Sequence, residues 1–291
     1  MMKAHLLYIC SILVLAIGYV QAQPLSSSQL SLVTYQQADS LLICKLLQQA
    51  PKKASPLWFA RQFVKCPYVA HTLEVNDKEQ LVVNTRQLDC TTFVETVLAL
   101  IVCNHNSRFS WADYIDVLRL LRYRGGKLNQ YPSRLHYFSD WIDDKINMGF
   151  VIEIKNPDPP FSATQMLEIN FMSQHVQSYK ALKANPHFIP LIRQQEKALS
   201  GRSYKYMPKS AVKHKSLLRQ VIKDGDIIAI TCNKTGLDIA HLGFAVWKKD
   251  GVHLLNASQL HKEVVTEPMT LYKYLQKHPT FTGVRVIRLK E

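Results

Sequence analysis

The stretch Leu88-Asp89-Cys90-Thr91-Thr92-Phe93-Val94-Glu95 decides how the chain is read. A short apolar segment, Leu81 to Leu88, runs into it, and from Thr92 to Cys103 the sequence is apolar on nearly every side of a helical projection. A helix of that kind is buried in a core, not laid on a surface. Asp89 and Thr92 are both residue types that cap helix starts, and Thr92 with Glu95 fits a capping box. Cys90 therefore stands at the N-terminus of a core helix. There the partial positive charge of the helix end favours the thiolate, the reactive form of the side chain. The competing reading is a bridged or merely buried cysteine, the common state of cysteine in exported proteins.

Before this stretch, Leu30 to Lys65 reads as helices: Leu41, Leu42, Cys44, Leu46 and Leu47 recur near helical spacing, and Pro51 and Pro56 interrupt. After it, Trp111 to Tyr123 predicts a helix, Arg124 to Lys127 a loop, Ser133 to Asn147 an aromatic-rich helix and Met148 to Ile154 a strand. The proline cluster at 156–160 closes that half. Residues around 160–215 read as a helical insertion that shapes a substrate wall. From Asp224 the period changes. Strands are expected over Asp226 to Thr231, His241 to Trp247, Val252 to Ala257 and Val284 to Leu289, with Asp250-Gly251 as a hairpin turn. Helices first and antiparallel strands after them imply an α+β fold, and residues 23–291 form one domain.

A cysteine nucleophile needs a base in reach of its proton. Among eleven histidines, His241 stands out because it opens a strand after Asp238-Ile239-Ala240 and is followed by Gly243, which leaves room beside the imidazole. A third group should orient that ring. If Lys248 to Gly251 form a four-residue loop, Trp247 pairs with Val252 and Gly243 with Asn256. Asn256 then shares the face of His241 one diagonal step away, while His253 falls on the opposite face. A three-residue loop would reverse the faces. The Asn carbonyl can accept from one ring nitrogen and free the other. Against these roles stand a partly exposed strand-end histidine and an asparagine that merely ends its strand.

The 291 residues carry a formal charge of +14, with 47% hydrophobic and 20% charged residues. That composition belongs to a folded protein, not a disordered one. Lys and Arg are dispersed, and neither zinc-finger spacing nor an RNA-binding aromatic signature is present, so no nucleic-acid partner is expected. The basic surface is either an ordinary solvated one or an attraction for an anionic substrate. Lys3 and His5 precede an apolar run from Leu6 to Val20, and Val20-Gln21-Ala22 offers a cleavage site. Residues 1–22 are thus expected to be a secretory signal, which directs the chain across the inner membrane to the periplasm or cell envelope. An uncleaved anchor is the alternative; no later segment is long and apolar enough to span, so no stable membrane insertion is expected after cleavage. Cys44, Cys66, Cys90, Cys103 and Cys232 then remain. The odd count leaves at least one thiol without an internal partner, and the pairing of the other four is open.

The ordered segments "LDCTTFVE", "KDGDIIAIT", "LDIAHLGFAV" and "HLLNAS" resemble the NlpC-type branch of papain-like cell-wall cysteine hydrolases. "PYVAHTLE" and "YPSRLHYFSDWI" resemble a narrower branch, the N-acetylmuramoyl-L-alanine amidase-like family, over about Pro67 to Leu289. The resemblance implies a papain-like fold, no cofactor and no metal, and a triad of Cys90 as nucleophile, His241 as base and Asn256 as the orienting group. Many relatives carry His at the third position, so Asn256 is a departure, and Asn serves the same role in papain-like proteases. Asp89 matches an acidic neighbour that holds the substrate amino end or the local loop; its other reading is the helix cap. Within "YPSRLHYFSDWI", Arg134 is expected to clamp a stem carboxylate. His136 and Tyr137 are expected to line the sugar or lactyl site, and Phe138 and Trp141 to lie in the core. Asp238 either contacts substrate or shapes the turn. The implied reaction cuts the amide between N-acetylmuramic acid and L-alanine of the stem peptide in peptidoglycan or muropeptides, by a monomeric enzyme. The alternatives are a stem-peptide endopeptidase cutting after D-Glu, a non-catalytic basic wall-binding protein, and a transferase passing the acyl group to an amine.

Overall fold

The computed structural model describes residues 33–290; the expected signal sequence at residues 1–22 lies outside them. Helices α1 (Gln37–Gln49) and α2 (Pro56–Arg61) lead into α3 (Cys90–His105), followed by α4 (Trp111–Arg122) and α5 (Phe138–Asn147). Two short strands, β1 (Val33–Thr34) and β2 (Leu81–Val82), pair in parallel. The remaining strands are β3 (Val151–Ile154), β4 (Ala163–Met166), β5 (Ser203–Pro208), β6 (Ile227–Cys232), β7 (Ile239–Trp247), β8 (Val252–Ser258), β9 (Glu263–Thr266) and β10 (Phe281–Leu289). They form one antiparallel sheet in the order β4-β5-β10-β6-β7-β8-β9, with β3 also on β10. The α+β expectation holds at this level.

The central strands β6, β7 and β8 are buried on both faces, which explains why "IIAIT" and "GFAV" read as continuous apolar runs instead of alternating ones. On one face Ile227, Ala229, Leu242, Phe244, Val246 and Leu255 pack with Phe93, Val94 and Val97 of α3. On the other, Ile228, Ile230, Ala245 and Leu254 pack with Leu271 and Leu275 of a later helix, residues 271–277. Helix α3 is enclosed from Thr92 to Asn104. Each large apolar side chain so buried contributes about 1.5–3 kcal/mol relative to exposure, so the helix that carries Cys90 is anchored along its whole length.

The start of α3 is capped differently from the sequence expectation. Asp89 is the N-cap, its Oδ1 accepting from the Thr92 N–H at 2.8 Å, and Thr92 Oγ1 accepts from the Asp89 N–H at 2.9 Å. The expected Thr92–Glu95 box does not form, because Glu95 lies in the core against Arg122 at 2.7 Å. A carboxylate that far from water is stable only with a partner. The aromatic-rich helix is also shorter than expected: Arg134 is extended and bridges to Tyr123, and α5 starts at Phe138.

Residues 160–215 are not helical throughout: besides the helices in their middle and a 3-10 turn at Ala211–Lys213, they carry two strands. These are β4 and β5, which pair with each other and extend the sheet. Between them lie α6 (Phe171–Gln174), α7 (Lys180–Ala184) and α8 (Phe188–Leu199) over a small core of Tyr131, Tyr137, Leu167, Ile169, Met172, Leu182, Ile192 and Leu199. No described helix is long and apolar enough to cross a membrane. All five cysteines among the described residues are free thiols.

Candidate active site

A cleft of about 150 Å³ opens where the start of α3 meets the start of β7. Cys90, Thr91, Asp238 and His241 line it, with His136, Tyr137, Met172 and Tyr179 on one wall. Cys90 is half-buried by area, yet its sulfur is enclosed by protein atoms. Burial, and then the Asp89 charge, push its thiol up to about 12; the Leu242 backbone N–H bonded to the sulfur works the other way. That contact sets the sulfur against β7 one residue beyond His241.

The entry to β7 is irregular in a way that serves this geometry. Ile230 lies opposite His241, but Thr231 lies opposite Ile239, so Ala240 is an extra residue on that edge. Bulges of this kind re-aim the neighbouring side chain. The four-residue loop forms as the pairing argument requires: Trp247 faces Val252 and Phe244 faces Leu255. His241 Nε2 then meets Asn256 Oδ1 at 2.8 Å. The Asn256 amide orientation is determined by its other end, whose Nδ2 donates toward Leu254 O (3.3 Å), Val265 O (3.3 Å) and Glu267 Oε1 (3.2 Å). A carbonyl oxygen would be repelled by all three of these acceptors and only the NH₂ end can donate to them, so Oδ1 faces the ring and Nε2 must carry the proton. Nδ1 is left as the basic nitrogen. Burial lowers the pKa of His241 from 6.5, and the Asn256 bond opposes that shift. His253 sits on the other side of the strand register, held by Glu267 O and Asp250 Oδ1, both at 2.9 Å.

Gly243 has a role other than the expected one. A Cβ there would lie 2.8 Å from the Leu254 side chain and 2.8 Å from the Leu255 carbonyl oxygen. The space belongs to strand β8, not to the imidazole.

The remaining expected site residues divide. His136 and Tyr137 do line the cleft. His136 donates from Nε2 to Tyr131 O at 3.0 Å; burial, and then the neighbouring Arg134 charge, pull its pKa down to about 3 and keep it neutral. Tyr137 is tied inward: its hydroxyl donates to Glu196 at 2.7 Å and accepts from the Met172 N–H at 2.9 Å. Asp238 reaches the cleft, but its Oδ2 accepts from the Ser139 N–H at 2.6 Å and so holds the first turn of α5. Asp89 is spent on the helix cap. Arg134 is a correction. It is 7% exposed, pairs with Glu74 (3.3 Å) and Glu79 (3.5 Å), lies over the Tyr131 ring, and is absent from the cleft wall. Its two carboxylate partners come from a loop whose sequence gave no hint of burial. Phe138 and Trp141 pack in the core as expected. Sequence reasoning missed Met172 and Tyr179 on the wall; among neighbours such as Leu167, Ile169, Phe171, Val176 and Leu182 nothing in the sequence marks them out. Among the described residues, no group of three or more His, Cys, Asp or Glu side chains is arranged to hold a metal ion.

Residues 58–283 match the family described as AmiA-like, N-acetylmuramoyl-L-alanine amidase-like. The chain belongs to this family. An N-acetylmuramoyl-L-alanine amidase from Bacteroides uniformis has a crystal structure similar to it at 38% identity and a TM-score of 0.76, covering 81% of this chain and 98% of that one. A protein from Bacteroides fragilis with a provisional xylanase name is similar at 40% identity and a TM-score of 0.75, over 80% and 99%. Protein LPG0564 from Legionella pneumophila shares the fold at 22% identity and a TM-score of 0.68, over 88% and 95%. No curated protein matches.

Proposed function

We propose that this chain is a papain-like cysteine amidase that cuts the bond between N-acetylmuramic acid and L-alanine in peptidoglycan or its fragments. The observation that carries the reading is the His241 Nε2 to Asn256 Oδ1 bond at 2.8 Å beside the Cys90 cleft. Amidase-like family membership and the amidase similar to it from Bacteroides uniformis support the choice of bond.

In this mechanism Cys90 gives its proton to His241 Nδ1 as its sulfur attacks the lactyl carbonyl carbon. The oxyanion is met by N–H groups at the start of α3, the Cys90 N–H among them. His241 returns the proton to the leaving amine of L-alanine, and the C–N bond breaks. The thioester that remains is opened by water, which His241 deprotonates. Asn256 holds the ring in the tautomer that permits both transfers. His136 and Tyr137 border the substrate, and Asp238 presents its remaining oxygen. We place the protein in the cell envelope after removal of residues 1–22, acting as a monomer.

A glycosidase would need two carboxyl groups flanking one bond. Asp238 is the one carboxylate on the described cleft wall, and Ser139 holds one of its oxygens. The test is digestion of defined muropeptides with mass analysis of the products. Release of an intact stem peptide beginning at L-alanine is expected, and a cut after D-Glu would establish the endopeptidase instead.

A further inference from the structure

Behind the orienting asparagine lies a carboxylate that the triad does not account for. Glu267 is fully buried, as is Asn256. Its Oε1 accepts from Asn256 Nδ2 at 3.2 Å, and its Oε2 meets His261 Nε2 at 3.1 Å. The His261 side chain is 33% exposed. A continuous chain of polar contacts therefore runs from the cleft to the surface: His241, Asn256, Glu267, His261. An isolated buried carboxylate is costly, and a glutamine or a backbone turn would satisfy the same asparagine hydrogen at less cost. The charge is thus better explained by what it does to the ring beyond Asn256 than by packing.

We infer that Glu267 is a positioning residue that, acting through Asn256, holds His241 ready to become imidazolium, with His261 anchoring its outer oxygen. The inference rests on the proposed roles of Cys90, His241 and Asn256. Two effects add. Asn256 cannot flip its amide while Glu267 demands an N–H, so the ring keeps Nδ1 free. The Glu267 charge also favours the protonated ring, as does Asp89, whereas His278 opposes it. The other ionisable neighbours are Tyr274, whose ring is 6.4 Å from that of His241, and Cys90 itself. Around Glu267 the charged or titratable faces are His261, Tyr274 and His278, and His253 bonds its backbone carbonyl. His261 is the one among them in direct contact with the carboxylate.

The test needs no knowledge of the substrate. Thiolate formation at Cys90 is read from the rate at which iodoacetamide alkylates it, followed by mass spectrometry of the Cys90 peptide across pH. In Glu267→Gln, shape and hydrogen-bonding capacity persist but the charge is gone. Alkylation near neutral pH is expected to slow by roughly tenfold, the equivalent of about one unit in the His241 equilibrium. In an Asn256→Ala background the same substitution should change the rate less, because the part relayed through the amide is already cut and only the direct pull of the charge on the ring remains. His261→Ala, at the surface end, is the second variant should Glu267→Gln not fold, and a severalfold slowing is expected there as the carboxylate loses its outer anchor. A folded Glu267→Gln with the wild-type alkylation profile overturns the inference, as does an effect that adds in full to Asn256→Ala. An unchanged rate in His261→Ala overturns it too. Turnover that survives Cys90→Ala would instead sink the proposed function, so the two failures are separable.

Discussion

At the scale of single residues, the resting site holds a neutral pair. Burial raises the Cys90 thiol and lowers the His241 imidazole, so at neutral pH the first is protonated and the second is not. In the proposed mechanism protonation of His241 removes the base, so activity is expected to be lost as pH falls through its depressed pKa. The acid limb of kcat/KM is therefore expected below 6.5, the ordinary imidazole value; a pH profile whose acid limb lies above it would contradict the neutral pair. The contact of Asn256 with His241 was legible in the sequence because strand parity is binary: one loop length puts Asn256 beside His241 and the other puts it away. Arg134 was not legible in the same way. A guanidinium fits a surface clamp or a buried double ion pair equally well, and which one holds depends on Glu74 and Glu79 arriving from another loop. Arg134→Ala leaves two carboxylates without their partner and is expected to cost about 3–5 kcal/mol of stability. Denaturant unfolding checks the loss, and KM of the folded fraction should stay near that of the wild type.

At the scale of elements, two termini meet and everything else holds them there. Helix α3 is fastened by its apolar burial and by the Asp89–Thr92 cap, and β7 is pinned by β6 and β8 with one extra residue at its entry. The close approach of β8 to β7 relies on Gly243. Gly243→Ala forces a methyl against the Leu255 carbonyl oxygen and the Leu254 side chain, each at 2.8 Å. Overpacking of this order costs about 1–3 kcal/mol, so a lower Tm is expected together with reduced kcat as the His241–Asn256 register shifts. The strongly patterned elements were legible: the α3 helix, the β7–β8 hairpin and strand β6. Strands β4 and β5 were not. Their residues alternate intermediate and exposed faces with few β-branched side chains, and a pattern that weak does not stand out beside the helical stretch between them.

At the scale of the whole molecule, one sheet whose central strands are buried on both faces presents the start of α3 and the start of β7 to a single cleft, and the excursion from 163 to 208 supplies a wall of it through Met172 and Tyr179. The formal charge of +14 favours approach to an anionic polymer, so the rate on intact wall should fall as salt rises while the rate on small soluble muropeptides changes less. Activity should also be indifferent to chelators, since no step of the mechanism passes through a metal. The most direct test of the central claim is rapid acid quenching during turnover, followed by mass mapping of the protein. A thioester on Cys90 that carries the N-acetylmuramic acid lactyl group and no stem-peptide residue is expected. A Cys90 adduct built from L-alanine and D-glutamate, or turnover without any adduct in a protein whose Cys90→Ala variant remains active, would contradict it.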